Sequence, residues 1–340
     1  MMSLSEDKLV VGWGEFEQLT GQEINSNVPA FYFSDFFLTK SHPWLQYANW
    51  MEMKTDDFYE ALNPTFDLDG CEWTVDYPER FKGTFDHLKK LLSSKILQKG
   101  VPYLFFRTSS LMDTVRLRCS LKSSLTSLRK RIGHLYGHWH ESRGVLGITP
   151  ESLFVLGSEG SKTVRTMALA GTCHPSESRK SFLSDPKQRH EHELVIQGIS
   201  QALESLGTIE VGNIQLMELP RLIHLMTPIE IKLKGRFDFD LMVRSLHPTP
   251  ALGAFPREIG CKWLLELEQN TPRGFYGAPI GLQYSLAQVC QCLVGIRNIQ
   301  WDPSGMRIGV GCGVVEQSCF DNEWEEIHMK FKAVCDQFHV

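Results

Sequence analysis

The sequence predicts a mixed fold of helices and strands, in the α/β or α+β class. Runs with helical period alternate with strand-like runs along the whole chain. The 340 residues suffice for one large domain or two ordinary ones, and no repeat, low-complexity tract or obvious linker divides them. About 42% of residues are hydrophobic and 22% charged, so a sizeable core is expected.

The elements follow in order. Residues 1–100 are weakly patterned, with "PAFYFSDFFL" and "EWTVDYPERF" reading as aromatic-rich strand and loop pieces. "FDHLKKLLSSKILQKG" reads as an amphipathic helix stopped by Gly100. "VPYLFFRTSS" follows as a strand, with Pro102 tolerable only near its start. "SSLTSLRKRIGHLYGHWH" is helical in period, which sets His134 and His138 one turn apart; without the glutamate of a zinc-protease helix they read as packing or surface residues. "RGVLGITPESLFVLGSEG" reads as strand, turn and strand. "KQRHEHELVIQGISQALESLG" has helical apolar spacing at Leu194, Val195, Ile199, Ala202, Leu203 and Leu206, with Gly207 as its stop.

On that helix Glu191 lies in line with Gln188 and Val195, while His190 and His192 point to different sides, so the two histidines cannot grip one zinc. "NEWEEIHMKF" places Glu323, Glu326 and Lys330 on one helical face. Before it, "MRIGVGCGVVEQS" reads as a strand bare of side chains at Gly309, Gly311 and Gly313, a pattern that marks close approach of a ligand or of another backbone. A bare strand leading to a carboxylate helix describes a pocket wall with backbone N–H groups open to an anion.

Composition narrows the function. A net charge of -5 argues against nucleic-acid binding but leaves room for a local basic pocket. No apolar run is long enough to span a membrane, and the first residues lack the pattern of a secretory signal. The nine cysteines are scattered, and the Cys290–Cys292 pair has no partner pair at zinc-ribbon spacing. Free thiols in a reducing cytoplasm are expected.

Eight blocks in order carry a resemblance: "TPESLF" (149–154), "LAGT" (169–172), "DPKQRHEHELV" (185–195), "LHPTPALGAFP" (246–256), "RGFYGAPIG" (273–281), "GIRNIQ" (295–300), "GVGCGVV" (309–315) and "NEWEEIHMK" (322–330). The sequence resembles the chorismate-utilising enzymes over roughly residues 100–335, with a divergent stretch over 1–100. The "LHPTPAL" and "RHEHELV" blocks look most like the isochorismate synthases of siderophore and menaquinone pathways.

The resemblance implies a single domain over 1–340, an α+β fold of two packed antiparallel β-sheets flanked by helices, acting as a monomer. It implies a chorismate site between the sheets, with Mg²⁺ held by Glu191 and Glu326 and with Gln188 and Glu323 supporting them one turn away. Arg297 matches the arginine for the enolpyruvyl carboxylate, with Tyr276 sharing that anion. Gly311 and Gly313 would bring backbone to the substrate, with Thr172, His247 and Lys330 also in the pocket and Ala251 and Leu252 as its apolar wall.

Isochorismate formation adds water at ring carbon two and expels the hydroxyl at ring carbon four, so it needs a general acid and a general base. The resemblance makes Glu151 the acid. The position of the usual base lysine falls on Pro102. Lys99 is the nearest replacement, although an offset of three residues points it to the other face of an extended strand, and Gly100 suggests a turn between. The leading expectation is a Mg²⁺-dependent isochorismate synthase-like enzyme with weakened water addition. Pyruvate elimination, as in salicylate synthases, and a non-catalytic chorismate binder are the alternatives.

Overall fold

The computed structural model describes residues 1–63, 69–75, 77–130, 133–157 and 161–340. The first strands are β1 (Met2–Ser3), β2 (Lys8–Leu19), β3 (Ala30–Phe33), β4 (Trp44–Lys54) and β5 (Thr74–Val75), with α1 (Thr55–Ala61) between the last two. Next come α2 (Pro78–Ser93), β6 (Lys99–Gly100), β7 (Tyr103–Thr108) and α3 (Thr114–Arg129). The middle holds β8 (His134–His140), β9 (Arg143–Thr149), β10 (Ser152–Leu156), β11 (Thr163–Cys173), α4 (Arg179–Ser184) and α5 (Pro186–Leu203). Then follow β12 (Gly207–Val211), β13 (Gln215–Glu218), β14 (Ile223–Leu233), α6 (Phe239–Leu246), β15 (Ala254–Phe255) and α7 (Arg257–Asn270). The chain closes with β16 (Pro279–Tyr284), β17 (Val289–Val294), β18 (Asn298–Asp302), β19 (Gly305–Gly311) and α8 (Phe320–Phe338).

The α+β expectation holds, with one refinement. Apart from β6 and β15, which pair only with each other, the strands of the described residues form a single antiparallel hydrogen-bonded ribbon rather than two separate sheets. Its first half runs β14, β11, β10, β17, β16, β3, β4. Its second half runs β2, β1, β8, β9, β18, β19, β7, β5. The long β2–β4 pairing joins them, which assigns a structural role to the poorly patterned N-terminal residues. Phe105 and Tyr103 of β7 share a core with Val164 and Ala168 of β11 and Ile229 of β14, so the halves pack across one interior. A second core lies under α2, α3, α7 and α8.

Three local expectations are corrected. The helix expected to reach Gly100 is α2, which ends at Ser93, and Gly100 pairs with Ala254 in β6–β15. "HLYGHWH" is β8, not helix, and its residues pair one by one with β9. The helical period read there belongs to α3, which stops at Arg129; the aromatic content of β8, Tyr136 and Trp139, fits a pleated surface better. Gly207 does not stop α5 but opens β12. Residues 158–160, expected to end the strand after "TPES", lie outside the described residues.

Candidate active site

A cavity opens between the two halves of the ribbon. Its walls come from β11, β14, β19, the β17–β18 turn and the facing sides of α5 and α8. Two glycines make this close approach possible. Gly171 has φ +77 and sits at a register break in β11, where a bulge turns Thr172 toward His224. Gly313 packs against Glu191 so tightly that a Cβ there would fall 1.8 Å from Glu191 Oε1.

The carboxylate end is built by two helix starts. Asp185 caps α5 by accepting from Gln188 N–H at 2.8 Å, and Pro186 opens the first turn. That start sets Lys187 and Glu191 one turn apart, facing α8. On α8, Glu323, Glu326 and Lys330 share a face as the spacing predicted. Lys187 Nζ lies 3.5 Å from Glu191 Oε2 and 2.9 Å from Glu323 Oε1, so one ammonium reaches a carboxylate on each helix. Lys330 Nζ lies 2.6 Å from Glu326 Oε1 and donates to Gly311 O at 2.9 Å. Burial and the neighbouring Glu326 push the Glu323 carboxyl up to about 7. Burial acts the same way on Glu326, but Lys330 and Lys187 outweigh it and hold that carboxyl below its ordinary value.

Lys99 is fully buried beside this group. Its Nζ lies 3.2 Å from Glu191 Oε1 and donates to Pro250 O at 2.9 Å. The offset of three was read correctly but applied to the wrong residue. Val101 lines the cavity and Pro102 does not, so Lys99, two residues from Val101, shares the inward face. No turn intervenes, because Gly100 is held in antiparallel contact with both Ala254 and Val314.

Glu151 stands in the turn between β9 and β10. Its N–H donates to Thr149 Oγ1 at 3.2 Å, and its carbonyl accepts from Val294 N–H at 3.0 Å, which fixes the backbone and leaves the side chain in the cavity. Burial pushes its carboxyl up to about 7, against the pull of Lys99, Lys330 and Arg297. A carboxyl of that kind holds a proton near neutral pH and can donate it.

At the opposite end Arg297 occupies the left-handed region, φ +53, in the turn from β17 to β18. Such strain in a non-glycine residue is costly and is found where a side chain must be aimed. The guanidinium is buried and donates from Nη2 to His224 Nε2 at 3.2 Å. An arginine only donates, so Nε2 is the acceptor and the proton sits on Nδ1, which lies 3.1 Å from Gly171 O. Burial and then Arg297 push the His224 imidazole down to about 3, keeping it neutral. Tyr276 enters from the loop before β16, its hydroxyl 2.9 Å from where a Cβ on Gly311 would stand.

Of the residues singled out in the sequence, the cavity is lined by Glu151, Thr172, Glu191, Ala251, Leu252, Tyr276, Arg297, Gly311, Gly313, Glu326 and Lys330. Gln188, Glu323, Lys99 and His247 stand outside that lining. Gln188 accepts from Thr172 N–H at 3.1 Å and so steadies the bulge. His247 is buried with its Nε2 on Phe36 O at 2.7 Å, so the structure does not bring it to the cavity as expected. His190 and Glu193 are exposed and His192 is buried against Thr227, in line with packing and surface roles. His224 and Lys187 were missed. Lys187 could have been found from its i, i+4 spacing to Glu191, but no local pattern marks His224, which depends on β14 lying opposite the "LAGT" bulge.

Among the described residues no three histidine, cysteine or acidic side chains form a ready-made metal cage. The donor set nevertheless suits a hard cation. Glu191 and Glu326 are buried oxygen donors on facing helices, and Mg²⁺ binds through one or two carboxylates completed by water and substrate.

The fold and the cavity define a class of protein with a polar cavity enclosed between two β-layers, carboxylates at one end and an arginine at the other. The chain belongs to the chorismate-binding enzyme family, whose sequence profile matches residues 108–339. The salicylate-biosynthesis isochorismate synthase of Pseudomonas aeruginosa is 31% identical over 198 residues, 56% of this chain and 40% of that protein. The chloroplastic isochorismate synthase of Catharanthus roseus is 34% identical over 201 residues, again 56% of this chain but 34% of that protein. The matched stretch is thus less than half of either relative. Two solved structures share the fold. The menaquinone-specific isochorismate synthase MenF from Escherichia coli has a TM-score of 0.76 at 19% identity, covering 99% of this chain and 87% of that one. Anthranilate synthase component I from Streptococcus pneumoniae has a TM-score of 0.74 at 16% identity, covering 94% and 82%. Among the described residues no helix is long and apolar enough to cross a membrane.

Proposed function

We propose that this chain binds chorismate with Mg²⁺ and converts it slowly to isochorismate. The observation that carries the reading is the pairing of a proton-holding Glu151 with a buried Arg297 in one cavity. Arg297, with the Tyr276 hydroxyl beside it, would take the enolpyruvyl carboxylate. Glu191 and Glu326 would hold Mg²⁺, which supplies positive charge to the ring carboxylate, and Lys330 would lie alongside. Glu151 would give its proton to the departing hydroxyl at ring carbon four. Ala251 and Leu252 would exclude bulk water from the ring.

The weak point is water activation. Lys99 Nζ is engaged by Glu191 and by Pro250 O and stands outside the cavity lining, so it is not placed to reach a water on the ring. That placement favours a second reading, pyruvate elimination from chorismate or isochorismate, which needs no activated water. Incubation with chorismate and Mg²⁺, followed by chromatographic product analysis, distinguishes the outcomes. Isochorismate supports the first reading; pyruvate with 4-hydroxybenzoate from chorismate, or with salicylate when isochorismate is supplied as the substrate, supports the second; and unchanged chorismate with measurable binding leaves a binding protein. A turnover of roughly one to a thousand per second would overturn the claim of slow conversion.

A further inference from the structure

Arg273 lies in the loop between α7 and β16, fully buried; none of its three side-chain nitrogens finds an acceptor in good hydrogen-bonding geometry, although the Tyr103 hydroxyl and the Glu268 carboxylate lie near enough to act on its charge. Its guanidinium carbon sits 3.9 Å from the ring centres of both Phe36 and Tyr103 and 5.8 Å from that of Tyr276. The carboxylate of Glu268 accepts instead from the Arg273 backbone N–H, 3.1 Å to each oxygen, and from the Tyr103 hydroxyl at 3.4 Å. Taking a guanidinium out of water without hydrogen bonds is expensive. Two ring faces offset part of that cost. An apolar side chain of similar length would fill the slot without it, so packing alone does not account for the charge.

The local geometry shows where the charge acts. Arg273 O accepts from Tyr276 N–H at 3.0 Å, closing a turn in which Gly274 takes φ +58. The same residue therefore fixes the Tyr276 backbone and lies beside its ring. The other side of Tyr276 faces the cavity. The stack also continues outward, because Phe36 O accepts from His247 Nε2. His247 thus bears on the site through Phe36 and Arg273 without lining it.

We propose that Arg273 is a positioning residue for the carboxylate end of the cavity. It is a second cation, beside the Tyr276 ring, that holds Tyr276 in place and strengthens capture of a ligand carboxylate there. The proposal rests on the reading of the cavity as a chorismate site. A unit charge several ångströms from an anion in a partly buried site corresponds to roughly tenfold to a hundredfold in affinity.

The test measures calorimetric binding of chorismate with Mg²⁺, and separately of benzoate as a bare carboxylate probe, to the full chain and to Arg273→Met and Arg273→Lys. Arg273→Met keeps the bulk and removes the charge. It should keep or raise the melting temperature and weaken both ligands by about tenfold or more. Arg273→Lys keeps the charge and should bind within about threefold of the wild type, a rescue that a purely structural role would not give. Wild-type affinity in Arg273→Met, or equal losses in both variants, overturns the proposal. If Arg273→Met does not fold, Arg273→Lys decides alone, a loss of about tenfold being fatal. Binding of benzoate but not chorismate, with the same dependence on Arg273, would remove the functional reading and leave this one standing. Binding of neither ligand by the wild type would remove both.

Discussion

At the α5–α8 end of the cavity Glu191, Glu323 and Glu326 stand against Lys99, Lys187 and Lys330, with contacts from 2.6 to 3.5 Å. At the other end Arg297 meets a neutral histidine at 3.2 Å, and the Arg273 guanidinium is stacked among aromatic rings with the Glu268 carboxylate on its backbone N–H. The first region is balanced from within. Its carboxylates are already held by ammonium groups, and an incoming cation must compete with them. The second region is unbalanced, and among the described residues neither buried guanidinium there forms a salt bridge with a carboxylate. A cavity arranged in this way is stable when empty at its acidic end and gains most from a ligand at its basic end. It follows that the two ends should respond differently to mutation.

The largest effect is expected at the acidic end. Glu191→Ala and Glu326→Ala should each abolish Mg²⁺-dependent chorismate binding while leaving the circular dichroism spectrum unchanged. Calorimetric binding at wild-type strength in both variants would reject them as metal-holding groups. Next in size is Glu151→Gln, which keeps the shape and removes the transferable proton. Turnover should fall about a hundredfold to ten-thousandfold with chorismate affinity preserved. An unchanged rate would count against the acid role.

A third effect separates the two faces of the strand that enters β7. Because Val101 lines the cavity and Pro102 does not, Val101→Lys should raise isochorismate formation, by about tenfold or more, and Pro102→Lys should not. A buried lysine without an ion pair has a lowered pKa and can act as a base. A rise with Pro102→Lys alone would show that the facing is wrong. A smaller change is expected for Glu323→Ala. Its carboxylate reaches Lys187 rather than the cavity, so Mg²⁺ affinity should fall by about tenfold, in the range typical of groups that support metal ligands.

The sequence was informative in proportion to how locally each end is built. The acidic end is set by helical period, and the spacing of Glu191 on α5 and of Glu323, Glu326 and Lys330 on α8 already placed them. The glycines of β19 likewise announced a bare wall. The basic end depends on which strands lie opposite each other. His224 reaches Arg297 only because β14 pairs with β11 at the Gly171 bulge, and Arg273 meets Phe36 only through contact with residues far away in sequence. His247 was misplaced for the same reason: its motif is local, but its partner Phe36 is 211 residues distant. The fold class was legible from alternation. The continuity of the ribbon was not, since it rests on β2 and β4, where the apolar pattern is weak.

The smallest effect concerns stability, and it isolates burial from catalysis. Burial raises the Glu151 carboxyl from 4.5 to about 7 in the folded protein. Between those values the folded state keeps a proton that the unfolded state has lost, so wild-type stability falls as pH rises through this window and stays reduced above it. The full rise corresponds to roughly 3 kcal/mol, an upper bound because the cavity can admit water. Glu151→Gln carries no proton to lose and escapes this decline. Glu323, also pushed up to about 7, is common to both proteins and cancels in their difference. Melting curves should therefore nearly coincide at pH 5 and separate by a few degrees at pH 8, with Glu151→Gln the more stable. A separation that does not grow with pH would mean that Glu151 is solvated and ionised in the empty cavity, and the proton it is asked to deliver would then have to be taken up with the substrate.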